Sequence, residues 1–316
     1  ALPIYLLYKG VDVYRSTGYY QNFSDAHNLM SYRHTRAHNS LLVNGIGQPY
    51  STEGYGSVMR AMGGQHISYC LGDASHAYRS ISNDPMWVDY FKQAGIEQTP
   101  ENGFGATPLT KYRRHVLMLH PHTVIVYDEL EASEAVRWEW LLHSPTEFKI
   151  DAVKKTLSTD NKTKGWVAVT QLFGGHVFTL SQTDRFVVPP AITGAEYPNQ
   201  WHLTARVDGC SATRFLAIIQ VGDEAVSIVN RDGDTFNVGD WTIKAVLDAS
   251  KAPELTVSHR TEQAVFSYGT DNPALNGNFY SRQYTGSSLL YDEIDGAYQV
   301  VEMTDRSPIS TRVVNQ

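Results

Sequence analysis

The chain has 316 residues, with 26 Lys and Arg against 33 Asp and Glu, a formal net charge of −7 and an aromatic content of 11%. That acidic balance argues against nucleic acid as a partner, because phosphate binding needs a basic face. No apolar run reaches the roughly 20 residues of a membrane-spanning helix, and no charged segment followed by an apolar one opens the chain as an export signal.

Tyr accounts for 19 residues, and its apolar ring with a polar tip suits strands and sugar-facing surfaces. A polyanionic sugar stays compatible with the net charge, since a local pair such as Arg33 with Arg36 can act inside an acidic protein. Cys70 and Cys210 lie far apart, so their spacing decides nothing about a disulfide, and there is no CxxC metal or redox motif.

Taken in order, Ala1 to Tyr8 reads as a strand already under way, and the chain is expected to be a mature fragment or the C-terminal part of something longer. Ile4 to Tyr8 and Val11 to Tyr14 flank Lys9-Gly10 as a short hairpin. Gly18-Tyr19-Tyr20 follows, then a polar stretch holding Asp25 and His27. From Tyr32 to Gln48 the chain packs Arg33, His34, Arg36, His38 and Asn39 ahead of Leu41-Leu42-Val43 and Asn44-Gly45. A hydrophobic triplet before Asn-Gly predicts a buried strand entering a type I′ hairpin, whose turn needs positive φ. The polar cluster therefore stands at the start of a strand held in a core. It either satisfies buried backbone groups there or forms a site that the rigid strand positions.

Further on, Ile67 to Leu71 reads as a strand and residues 83–108 as a long surface excursion, with Asp84 to Gln93 the best helix candidate. Val116 to Leu119 and Thr123 to Glu129 make a hairpin around His120-Pro121-His122, read as a turn and not as a metal site. Arg137 to His143 alternates, with Trp138, Trp140 and Leu142 on one face. Strands are then expected at Trp166 to Leu172, His176 to Leu180, Trp201 to Val207, Arg214 to Gln220, Ala225 to Val229 and Trp241 to Val246. Beyond these, Gln263 to Tyr268 and Gln299 to Met303 complete the set. Regular strand spacing with turn signals predicts an all-β fold, a large antiparallel two-sheet β-sandwich over residues 1–245 with a small C-terminal β lobe over 246–316.

The run His34-Thr35-Arg36-Ala37-His38-Asn39-Ser40-Leu41-Leu42-Val43-Asn44-Gly45-Ile46-Gly47-Gln48 resembles the signature of heparinase II/III-like polysaccharide lyases. Gly18-Tyr19-Tyr20, Gly72 to Tyr78, Arg114 to Leu117, Val124 to Leu130 and Trp138 to His143 fall in the order of that family. The likeness covers roughly Leu2 to Gln220. It implies an antiparallel β-sandwich that works with a helical toroid placed upstream, β-elimination on uronate-containing acidic polysaccharides such as heparan sulfate or alginate, and a secreted or periplasmic location.

Such an enzyme must remove a weakly acidic proton beside a uronate carboxylate and protonate the leaving oxygen. Neutralising the carboxylate makes that proton removable, and a Tyr or His serves as base and acid. On this resemblance Tyr20 and His27 are the expected catalytic residues, and Arg33, Arg36, His34 and Asn39 the expected substrate-binding ones. Several relatives hold a structural zinc through an upstream His, an Asp just before the Gly-Tyr stretch, and the His of the AHN motif. His38 matches the last of these. The Asp position falls at Ser16 or Thr17, and the upstream His would precede Ala1, which leaves one ligand of a site that needs three or four. The rival reading is a non-catalytic carbohydrate-binding or structural β-sandwich. It would spread its aromatics on a flat exposed face, whereas a lyase half-site would gather Tyr20, His27, Arg33 and His38 at one edge.

Overall fold

The computed structural model describes residues 4–313 apart from 162, 193–195, 224–225, 228, 276–277 and 306. The opening hairpin pairs β1 (Leu6–Tyr8) with β2 (Val11–Tyr14). The first large sheet is built from β3 (Leu41–Val43), β4 (Ser57–Gly63), β5 (Ile67–Asp73), β6 (Leu109–Leu119), β7 (Thr123–Ser144), β8 (Lys149–Asp151), β9 (Thr156–Asn161), β10 (Trp166–Gly174), β11 (Thr179–Thr183) and β12 (Trp201–Gly222). Its order is β4-β5-β6-β7-β12-β10-β9-β8, with β3 on β7 and β11 on β12, all antiparallel.

The second sheet takes β13 (Asn230–Asp232), β14 (Thr235–Val238), β15 (Trp241–Ala245), β16 (Leu255–His259) and β17 (Val265–Tyr268). After a two-residue ladder of β18 (Ala274–Leu275) on β19 (Asn278–Phe279), it adds β20 (Ser288–Ile294), β21 (Ala297–Thr304) and β22 (Ser307–Val313).

The spine is β7 against β12, each 22 residues long and paired from Trp201 opposite Ser144 to Gln220 opposite Thr123. The separate strands expected at 123–129 and 137–143, and at 201–207 and 214–220, are halves of these two. The register shifts on both sides of Cys210, beside Gly209 at φ +72°, so a local irregularity carries a turn signal without ending the strand. The hydrophobic run Phe215 to Ile219 is explained by burial on both faces. Phe215, Ala217 and Ile219 enter one core with Trp138, Trp140 and Leu142, while Leu216 and Ile218 enter the other.

That second core lies between the sheets, with Ile67, Leu117, Ile125 and Leu216 facing Phe236, Ile243, Val257, Phe266 and Leu290. The sandwich is therefore two-layered as expected. The expected boundary at 245/246 falls between β15 and β16, which are hydrogen-bonded neighbours, and the residues beyond it supply most of the second sheet. The strand expected at 225–229 lies partly outside the described residues; Val226, Ser227 and Val229 are not in a strand. Both cysteines are free.

The helix α1 (Pro85–Gln93) starts where the sequence places it. Pro85 occupies its first turn, and the Asp84 carboxylate accepts from the Met86 amide at 3.0 Å. It buries Phe91 against Tyr50 and Phe104, and so carries Trp87 to the edge of the sandwich.

Candidate functional site

The polar segment ahead of β3 folds into two short helical turns, Asn28–Tyr32 and Thr35–Ala37, before entering the sheet. The hairpin after β3 has Asn44 at φ +55° and Gly45 at φ +80°, the two positive angles a type I′ turn requires. Asn44 also accepts from the Arg137 amide at 2.8 Å, which ties the turn to β7. Gly47 serves a different need. A Cβ there would stand 2.7 Å from the Thr35 hydroxyl, so only glycine lets the returning chain lie against the Thr35–Ala37 turn.

Three of the expected site residues turn inward and are consumed by structure. His34 is fully buried; its Nδ1 accepts from the Arg36 amide at 3.1 Å and its Nε2 faces the Gly103 carbonyl at 2.9 Å. Asn39 donates to the Ile4 carbonyl at 2.6 Å and accepts from the His143 amide at 2.7 Å, while its own carbonyl takes a hydrogen bond from Arg114. His27 is likewise closed off from solvent. Its Nδ1 lies 2.5 Å from the Val188 carbonyl and its Nε2 accepts from the Tyr19 amide at 3.0 Å. His27, expected as catalytic, and His34 and Asn39, expected as substrate-binding, thus all have hydrogen-bond partners within the chain. Buried backbone groups need partners, and these side chains supply them. Burial pushes His34 well below the usual imidazole range and lowers His27 as well.

Arg33 and His38 turn the other way. They share a cleft of about 320 Å³ with Tyr5, Ser16, Tyr32, Tyr50 and Trp87. A smaller hollow of about 150 Å³ adjoins it through Arg33, His38 and Tyr50. The Arg33 guanidinium sits 5.0 Å from the Trp87 ring centre and 5.4 Å from that of Phe23, a cation–π seat. Its Nε is buried with no hydrogen-bond partner, and among the described residues it makes no ion pair. Tyr50 forms a wall: its hydroxyl donates to the Leu29 carbonyl at 2.5 Å and its ring stacks on Phe91. Tyr20 is 48% exposed on the outer rim, its ring centre 6.4 Å from that of Tyr32. Arg36 leaves this cleft and lines a separate cavity.

The Ser16 hydroxyl lies 2.6 Å from His38 Nδ1, and His38 Nε2 lies 3.3 Å from the Arg33 carbonyl. The neutral ring satisfies both by accepting from Ser16 and donating to Arg33, and burial brings its pKa down to about 4. These donors do not fit a zinc ion. Both ring nitrogens are engaged, the neighbour is a hydroxyl instead of a carboxylate, and among the described residues no three His, Cys, Asp or Glu side chains converge.

Tyr50 and Trp87 are cleft residues that the sequence did not single out. Trp87 comes from α1, more than fifty positions from Arg33, and no local spacing signals their meeting.

The family described as heparinase II/III-like, C-terminal, matches residues 1–206. Comparison with curated proteins gives no match. Among solved structures, a heparinase III gene product superposes with a TM-score of 0.55 at 13% identity, covering 84% of this chain and 35% of that one. Heparan sulfate lyase HepC from Pedobacter heparinus gives 0.53 at 12% identity, over 89% of this chain and 37% of its own. A further heparinase III gives 0.52 at 14% identity, with 89% and 35% covered. At these identities the likeness is one of fold. The chain spans about a third of the length of these neighbours.

Proposed function

The chain belongs to the heparinase II/III-like C-terminal family, and we propose that it is the β-sandwich portion of a polysaccharide lyase acting on uronate-containing chains. The observation that carries this reading is Arg33, a guanidinium held between aromatic rings at a Tyr- and Trp-lined cleft without a carboxylate of its own. A uronate offers what that arrangement lacks: a carboxylate for the cation and an apolar sugar face for the rings.

In β-elimination a base takes the proton beside the carboxylate, the bond to the leaving glycosidic oxygen breaks, a carbon–carbon double bond forms, and an acid protonates the oxygen. Arg33 neutralises the carboxylate as negative charge develops next to it. Tyr32 lines the cleft and is the phenol placed to move the proton, with Tyr20 on the rim. His38 holds the Arg33 backbone through its Nε2–H. The remaining catalytic groups come from a further domain of the full-length protein, consistent with the longer chains of the structural neighbours.

The test is ultraviolet detection of unsaturated uronides from alginate, heparan sulfate and other uronides. The full-length protein yields product, Arg33→Gln lowers kcat/KM about 100-fold, and the 316-residue chain alone is inactive. Robust product from that chain alone would overturn the half-site assignment. A second reading, a non-catalytic sugar-binding sandwich, is favoured by one observation, the loss of His27 to backbone contacts. Polysaccharide binding by the full-length protein with no unsaturated product would select it.

A further inference from the structure

A second cavity, of about 180 Å³, is lined by the Thr35–Ala37 turn, the loop after β11 and the start of β12. Its polar lining is cationic or neutral: Arg36, Arg185, His143 and His202 contribute to it and no Asp or Glu does, although Asp184 acts on His202 through space. Phe186 and Leu141 form the apolar wall.

Arg36 is partly buried, and burial lowers its pKa. Its guanidinium donates to the Asn102 carbonyl at 2.6 Å and to His34 Nδ1 at 2.9 Å, both neutral partners. Neither Arg36 nor Arg185 makes an ion pair among the described residues; Glu139 acts on Arg36 only through space, beyond ion-pair distance. His202 contributes a second unmet need. Its Nδ1 lies 3.3 Å from the Thr17 hydroxyl, while its Nε2 is buried with no hydrogen-bond partner. His143, by contrast, is already engaged, with its Nε2 2.8 Å from the Arg36 carbonyl. A partly buried cation without a counter-charge and a buried ring nitrogen without a partner are both costly when left alone. An anion in the cavity supplies the counter-charge that Arg36 lacks.

We propose that this cavity is an oxyanion site, taking a carboxylate or sulfate group between Arg36, Arg185 and His202 with its carrier against Phe186. The volume suits a free ion or a single acidic sugar residue, and not a polysaccharide chain. The site is separate from the Arg33 cleft and does not rest on the lyase reading, because its readout is binding and not cleavage.

The experiment titrates the full-length protein with sodium sulfate, with glucuronate and with uncharged glucose at millimolar concentration, followed by calorimetry and by the imidazole NMR signals of His202. Glucose does not bind. Binding of both anions identifies a general oxyanion site, and binding of glucuronate alone identifies a sugar-borne carboxylate; either supports the proposal. Arg185→Gln, an exposed position that leaves the fold intact, weakens the bound anion at least tenfold, and His202→Gln removes the ring signal and weakens it as well. Arg36→Gln is the stronger variant but also loses its contacts to His34 and Asn102, so Arg185→Gln decides where it fails to fold. Absence of binding by both anions, or binding indifferent to Arg185→Gln, overturns the site.

Discussion

Arg114 and Arg33 are two arginines of one sandwich, and their surroundings are opposites. Arg114 is buried in the first sheet and paired bidentately with Asp128, at 2.7 Å through Nε and 2.8 Å through Nη2, with Trp140 donating to the same carboxylate at 3.0 Å. Nearby, His115 has Glu129 at 2.9 Å and the Tyr69 hydroxyl at 3.0 Å, and Lys111 reaches Glu129 at 2.7 Å. Arg114 and Lys111 in that network each have a carboxylate. At the Arg33 cleft none does. A folded protein tolerates a buried charge when it is paired, so the paired region reads as structure and the unpaired one as a place prepared for an external anion.

The largest effect is expected where pairing is complete. Asp128→Asn strips the counter-charge from buried Arg114, and breaking such a pair costs about 3–5 kcal/mol. Urea unfolding of the variant shows that loss, and because Arg114 also holds the Asn39 carbonyl at 2.7 Å, the cleft loosens with it. A variant as stable as the parent would dissolve the distinction between the two regions.

Acid acts next on the buried imidazoles of both regions, since burial lowers the pKa of His115 in the paired network as well. His27, His34, His38, His143 and His202 all have pKa values lowered by burial, and no carboxylate hydrogen-bonds to any of these rings among the described residues. An unfolded imidazole takes its proton near pH 6.5, whereas the folded rings wait, His38 and His202 until about 4. Below pH 6.5 the unfolded state therefore binds more protons, and stability falls as pH drops toward 4. For His38 and His202 the loss is on the order of 3 kcal/mol each by pH 4. A thermal midpoint unchanged between pH 7 and 4.5 would remove this acid sensitivity.

Arg33→Gln tests the unpaired side directly. Its stability stays within about 0.5 kcal/mol of the parent, since no carboxylate is orphaned, while under the lyase proposal kcat/KM of the full-length protein falls about 100-fold. An arginine that costs stability and spares activity belongs with Arg114.

How much of this was legible in the sequence follows the distance over which each interaction acts. The Asn44-Gly45 hairpin is dictated by four adjacent residues, and the inward face of Trp138, Trp140 and Leu142 by a period of two; both hold. The β7–β12 spine differs from the four strands expected because a ladder continues through the register shifts around Cys210 in β12 and through the polar stretch between Glu129 and Arg137 in β7. His27 was assigned to a cleft because its composition suits one, yet its partner is the carbonyl of Val188, 161 positions away. The meeting of Trp87 with Arg33 is likewise set by tertiary packing. Residue type marked the segment where the site lies, and only the fold sorted its side chains into those facing out and those spent on the interior.

His38 stands on the border between the two classes, because it lines the cleft while both of its nitrogens are engaged within the protein. Ser16→Ala decides its side. The substitution removes the donor 2.6 Å from Nδ1 and leaves a buried lone pair unsatisfied, which costs about 1 kcal/mol. His38 Nε2–H keeps its bond to the Arg33 carbonyl, so the backbone that carries the guanidinium stays in place. Urea unfolding therefore registers the small loss, and under the lyase proposal kcat/KM of the full-length protein changes by less than about twofold. A large fall in kcat/KM with stability untouched would move His38 from the framework into the chemistry, and Ser16 with it as the residue that sets its tautomer.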